Sequence, residues 1–158
     1  MAISSSVKSK VSLGTSTAAG TLAGMTADTY TQIQPVRDLG EFGMSAAELD
    51  ATDLSSGFTR RRKGIVDGGT VELICLRDAA DAGQNALRAA LVADGGLSFS
   101  LKVELNDKPV PTGKNTFYYA KVVVLGAKNG LGDGGEISTT TFTLGIDGEI
   151  FEVLASAT

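Results

Sequence analysis

Four consecutive cations, Arg60, Arg61, Arg62 and Lys63, stand inside the stretch SSGFTRRRKGIVDGGTVEL, residues 55–73. Clustered guanidinium and ammonium groups neutralise phosphates and release condensed counterions, so nucleic-acid binding is the first chemistry to weigh. The rest of the chain opposes it. Fourteen basic residues face 18 acidic ones, a formal net charge of −4. That balance favours solubility and works against general polyanion binding, although a local patch can contradict it.

Other reactive types are sparse. Histidine is absent, which removes the commonest general base together with Ser-His-Asp and Cys-His nucleophile arrangements. Cys75 is the single cysteine, so no intramolecular disulfide forms, zinc sites of cysteine or cysteine and histidine are excluded, and a buried thiol is expected. The carboxylate pairs Asp50 with Asp53 and Asp133 with Glu136 could hold a cation or share a proton, but Asp in glycine-rich turns is ordinary turn chemistry. GLGDGG, residues 130–135, matches G-x-G-x-x-G and follows a strand. A dinucleotide site needs a helix next, whereas EISTTTFTL is β-branched and reads as a strand. PTGKN lacks the earlier glycine and the following Ser or Thr of a P-loop. The expectation is no catalytic residue, no metal and no cofactor.

These residues must be positioned by strands. At 158 residues the chain has the length of one domain, and 42% hydrophobic with 20% charged residues suits a globular fold. No apolar run approaches a membrane span, and MAISSSVKSK lacks the apolar core of a signal peptide, so a cytosolic product without a membrane span is expected. Residues 1–28 read as an arm with one short edge strand at Val7–Leu13 and a flexible loop through Gly14, Gly20 and Gly24; residues 29–158 read as the main domain. TYTQIQPV alternates, with Pro35 marking an edge or strand end, and Ala47 to Ala51 gives a weaker strand. TVELICLR is apolar enough for a central strand, with Val71, Leu73 and Cys75 on one side.

DAADAGQNALRAALVADGG changes to the helical period. Asp81 caps it with Gln84 three residues on in a capping-box pattern, Leu87, Ala90, Leu91 and Ala86 make the apolar stripe, and Gly95 and Gly96 stop it. LSFSLKVEL alternates throughout, with Ser98, Ser100, Lys102 and Glu104 on the polar face. Phe117 to Leu125 and Ile137 to Ile146 form two long strands, the second with a polar face of Thr139, Thr141 and Thr143; Asp147-Gly148 turns into a last strand, EIFEVL. Seven or eight strands and one helix predict a mainly β domain: an antiparallel two-sheet β-sandwich, or barrel-like, with one flanking α-helix.

The order of these elements resembles the tail tube proteins of long-tailed phages with non-contractile tails, the siphophage major tail protein family, which includes gene transfer agent tail tubes. The resemblance lies in SGFTRRRKGIVDGGTVEL, with the turn at Gly64, Asp67, Gly68 and Gly69, in the helix DAADAGQNALRAAL, in TYTQIQPVRDLGEFG and in TTTFTLGIDGEI, over most of residues 8–152. It implies a structural virion protein, not an enzyme: six copies close into a ring, and rings stack into a tube for DNA ejection. The implied partners are further copies of the chain, tail tip or initiator, tape measure and terminator proteins, and genomic DNA passing without specific binding. The implied location is the particle tail, after synthesis in the bacterial cytoplasm. Arg60, Arg61, Arg62, Lys63 and Asp67 are then an inter-ring contact loop, with Asp38, Glu41, Asp50 and Asp53 as available carboxylates. Ser98, Ser100, Lys102, Glu104, Thr139, Thr141 and Thr143 become candidates for the lumen. Two other readings remain open: a tube protein of a contractile injection or secretion system, and a monomeric binding sandwich.

Overall fold

A sheet with one apolar face must bury it, and here a single long sheet does so by bending over itself. The computed structural model describes residues 3–93 and 95–158. Its strands are β1 (Lys10–Leu13), β2 (Thr31–Ile33), β3 (Val36–Asp38), β4 (Ser45–Asp50), β5 (Arg61–Asp67), β6 (Thr70–Leu76), β7 (Phe99–Glu104), β8 (Phe117–Gly130), β9 (Thr139–Ile146) and β10 (Phe151–Val153), with helices α1 (Leu22–Thr26) and α2 (Ala82–Val92). Eight strands form one antiparallel sheet in the order β2-β1-β7-β8-β9-β6-β3, with β10 also paired to β8; β4 and β5 pair separately.

The two layers of the sandwich are halves of that sheet. The first half of β8 pairs with β7, from Phe117 opposite Glu104 to Val122 opposite Phe99; the second half pairs with β9, ending at Gly130 opposite Thr139. Facing residues Val11, Leu13, Leu101, Val103, Val122, Val124, Leu73, Cys75, Phe142 and Leu144 make one core, closed on its flank by Leu87 of α2. Val71, Leu73 and Cys75 are buried on one side of β6 as their alternation requires, and burial pushes the Cys75 thiol up to about 11.

The edges of the sheet meet at one corner. β2 and β3 are its two end strands, yet only Gln34 and Pro35 separate them, so TYTQIQPV is two short strands around a strand-ending proline. The N-terminus of α2 clamps this seam. Asp81 caps the helix by accepting from Gln84 N at 2.8 Å, and the same carboxylate accepts from Gln34 N at 3.1 Å. Gln84 departs from the capping-box reading: its side chain is fully buried and donates to the carbonyls of Gln34 and Leu76, each at 2.8 Å. Its side-chain oxygen, which a capping box would aim at Asp81 N, accepts instead from Asp78 N and from Arg88, each at 3.3 Å. Gly83 allows the approach, because a Cβ there would collide with the Gln32 carbonyl and the Ile33 backbone.

The N-terminal segment is not a loose arm. β1 is flanked by β2 and β7, so the edge-strand expectation is corrected: its apolar alternation suits an interior position. Within the stretch read as flexible, Thr21 caps α1 and Met25 is fully buried, its carbonyl accepting from the hydroxyl of Tyr30 in the main domain at 2.6 Å. Asp28 accepts from the Thr15 hydroxyl and amide at 2.6 and 2.8 Å. The segment lies across the polar face of β7 and β8, where it covers Ser100, sets the Tyr30 ring against Tyr119 and brings Lys102 over the Tyr30 ring at 4.6 Å.

Candidate functional site

The four cations fall on a projecting β-hairpin. The reading of 60–63 as loop is corrected: Arg61, Arg62 and Lys63 open β5, with Asp50 opposite Arg61, Leu49 opposite Arg62 and Glu48 opposite Lys63. Arg60 sits just before the strand, its carbonyl accepting from Ala51 N at 2.9 Å and its amide donating to the Thr52 hydroxyl at 2.9 Å. Sequence alone missed this pairing because β4 carries a weak pattern, SAAELD, with no buried residue to fix its period.

Alternation then divides the run. Arg61 and Lys63 share a face with Glu48 and Asp50, and Arg61 Nε donates to Glu48 Oε1 at 2.6 Å. Both partners of that pair are over 60% exposed, so it contributes little to stability. Arg60 and Arg62 lie on the other face beside Leu49, and among the described residues neither makes an ion pair. Of the carboxylates expected nearby, Asp50 and Asp53 are spent on local turns. Asp50 accepts from Thr52 N, and Asp53 from the hydroxyl and amide of Ser55; the side chains of Thr52 and Ser55 first, and then their amides, hold both carboxyls below their usual value. Asp67 likewise turns inward on the chain, accepting from Gly69 N at 2.9 Å where Gly69 takes a φ of +66° at the hairpin root.

The hairpin's apolar content is its second feature. Leu54 and Phe58 at the tip and Ile65 on β5 are 109%, 86% and 86% exposed, and Leu49, Val66 and Met44 are also open. The tip is nonetheless ordered, with Ser56 N bonded to the Asp53 carbonyl and the Ser56 hydroxyl to the Phe58 carbonyl. A two-stranded ribbon is marginal alone, and grouped exposed apolar side chains mark an interaction surface. Apolar residues embedded in the turn-rich stretch LSSGF were the available signal for this patch.

The proposed lumen residues separate into two groups. Ser100 is fully buried beside Asp28 and Tyr30 and Lys102 lies against the Tyr30 ring, while Ser98 and Glu104 are half-buried, Glu104 accepting from Asn115 Nδ2 at 2.7 Å; the expectation of an open polar face on β7 is corrected at Ser100 and Lys102, where the N-terminal segment supplies a third layer. Thr139, Thr141 and Thr143 do form one half-exposed face of β9, beside Glu72 on β6 and Lys128 on β8. Among the described residues no group of three His, Cys, Asp or Glu is placed to hold a metal ion, and no helix is long and apolar enough to cross a membrane.

A bent antiparallel sandwich with a flanking helix and a long hairpin defines a fold, and comparison with solved structures shows which one. The chain superposes on a chain of the anti-feeding prophage baseplate, solved with 6-fold symmetry, with a TM-score of 0.72 at 11% identity over 98% of this chain and 97% of that one. It superposes on the SPP1 tail tube protein with a TM-score of 0.60 at 15% identity, over 91% of this chain and 75% of that one. A chain of the sheath-tube complex of an extracellular contractile injection system gives 0.64 at 9% identity over 96% and 92%. No protein-family model and no curated protein matches the sequence. The fold is that of phage and phage-like tail tubes.

Proposed function

We propose that this chain is the structural subunit of a phage or phage-like tail tube. Six copies close into a ring, rings stack, and the hollow tube conducts DNA from the particle into the host. The observation that carries this reading is the complete sandwich bearing a hairpin with exposed apolar side chains, a surface that only assembly covers. The chain does no catalysis and takes no cofactor. Its partners are its own copies in the ring and stack, the tail tip or initiator, the tape measure and the terminator, and its place is the tail of the particle after synthesis in the host cytoplasm. Thr139, Thr141 and Thr143 face the channel in this reading, and the hairpin with Arg60 to Lys63 crosses to a neighbouring ring.

Negative-stain microscopy of the purified protein at high concentration, and of its native particle, tests the proposal. Rings and tubes are the expected result; a monomer under all conditions with no tube in the particle would sink it. A second reading, the tube of a contractile injection or secretion system, is favoured by the likeness to the sheath-tube complex over most of both chains. A contractile sheath around the tube in the native particle would select it.

A further inference from the structure

We infer that the hairpin of one copy docks on the β8–β9 end of another copy, with Arg60 and Arg62 facing Glu136 and Asp133. This rests on the tube reading and adds the receptor for its hairpin.

The two surfaces lie at opposite ends of the sheet. The hairpin leaves the body at Asp67 to Thr70, where Thr70 pairs with Gly145 and Ile146 N bonds to the Gly69 carbonyl. β6 then runs seven residues, roughly 23 Å at ~3.3 Å each, to Leu76 opposite Thr139. There the connection between β8 and β9 bounds an open cleft of about 560 Å³, with Leu76, Ile137, Glu136 and Arg37 in its lining. Donor and acceptor at opposite ends are what head-to-tail stacking demands, since each copy must offer one and receive the other.

The surfaces also match in chemistry. The hairpin presents Phe58, Leu54 and Leu49 with two cations that have no partner among the described residues. The connection presents Leu131 and Ile137, 69% and 72% exposed, with Asp133 and Glu136 and no cation within residues 131–138. Asp133 uses one oxygen on Gly135 N at 2.9 Å, and neither carboxylate makes an ion pair in its own chain among the described residues. Arg37 in the lining opposes the incoming guanidinium groups, and the two carboxylates outnumber it. Planar guanidinium forks suit bidentate pairing with carboxylates around an apolar contact, and repetition around a ring multiplies a modest pair.

A charge swap in the full chain tests the assignment. Arg60→Glu with Arg62→Glu, and separately Asp133→Lys with Glu136→Lys, are expected to abolish tubes or shorten them several-fold while the thermal midpoint of the monomer stays unchanged. The four changes together restore parental tube length. Should a reversal disturb folding, Arg60→Gln with Arg62→Gln gives the same direction as a loss of salt resistance. Joining Arg62→Cys to Glu136→Cys and adding a bifunctional maleimide yields a ladder of covalent multimers, with Cys75 buried and silent. Parental tubes with neither rescue nor ladder, or rescue by Asp147→Lys with Glu149→Lys instead, overturns the receptor and leaves the tube reading standing. Absence of tubes from the parental chain and from its particle overturns both.

Discussion

At the residue scale, polar groups buried at the seam and beneath the N-terminal segment decide more than the charge run does. Gln84 joins α2 to both edges of the sheet through the carbonyls of Gln34 and Leu76. Gln84→Ala leaves those acceptors unmet inside the fold and is expected to destabilise the protein by about 2–4 kcal/mol in a denaturant titration. A change at an exposed residue such as Glu149→Ala should cost far less. Asp28 sets an acid dependence. Burial alone would raise its carboxyl, but the bonds from the Thr15 hydroxyl and amide and the Thr29 amide outweigh it and hold the pKa below the usual value. A depressed folded pKa stabilises at pH above the unfolded value, and that contribution is lost as pH falls through the folded one. Asp28→Asn is therefore expected to lower the thermal midpoint at neutral pH and to flatten its decline below about pH 4; parallel acid limbs for the two proteins would refute this.

At the scale of elements, the hairpin and the body are separable. β4 and β5 are exposed along their length and bond chiefly to each other, whereas the core lies wholly in the remaining strands and α2. Replacing Arg60, Arg61, Arg62 and Lys63 by Ser is expected to leave the monomer's unfolding midpoint within about 2 °C, because exposed ion pairs contribute little. The same variant should give tubes that are shorter or that dissolve at lower salt. Arg61→Ser alone, which breaks only the pair with Glu48 inside the hairpin, should have the smaller effect on assembly, and Arg60→Ser with Arg62→Ser the larger. Tubes of parental length and salt resistance from the fourfold variant would reduce the run to surface charge.

At the scale of the whole molecule, the proposed tube must let a polyanion slide. Six copies at −4 each bring −24 to a ring, and a wall that is neutral or negative does not trap phosphate. On the face of β9 proposed for the channel, Thr139, Thr141 and Thr143 are hydroxyls flanked by Glu72 and Lys128, a locally balanced surface. Isolated tubes are expected not to retain duplex DNA at moderate salt in a filter or sedimentation assay. Tight retention that falls steeply with added salt would reverse the assignment of wall and cations alike.

What the sequence determined by itself was whatever short-range periodicity can fix. Strict alternation in LSFSLKVEL placed β7, and the apolar run of TVELICLR placed β6 as a central strand with Val71, Leu73 and Cys75 on one side. The shift to the helical period after Asp81 placed α2, and the lone cysteine in a strand with apolar neighbours on its face is buried. The tertiary structure decided what rests on partners distant in the chain. Weakly patterned SAAELD becomes a strand only because RRKGIVD pairs with it, and that register alone divides the cations between two faces. Ser98 to Glu104 read as an open polar face, yet Asp28 and Tyr30 cover it at Ser100 and Lys102, since alternation reports which residues share a face and not what lies upon that face. Gln84 fits a helix cap by spacing and serves the seam instead, because the Gln34 and Leu76 carbonyls are brought to it by a sheet that bends until its two edges meet.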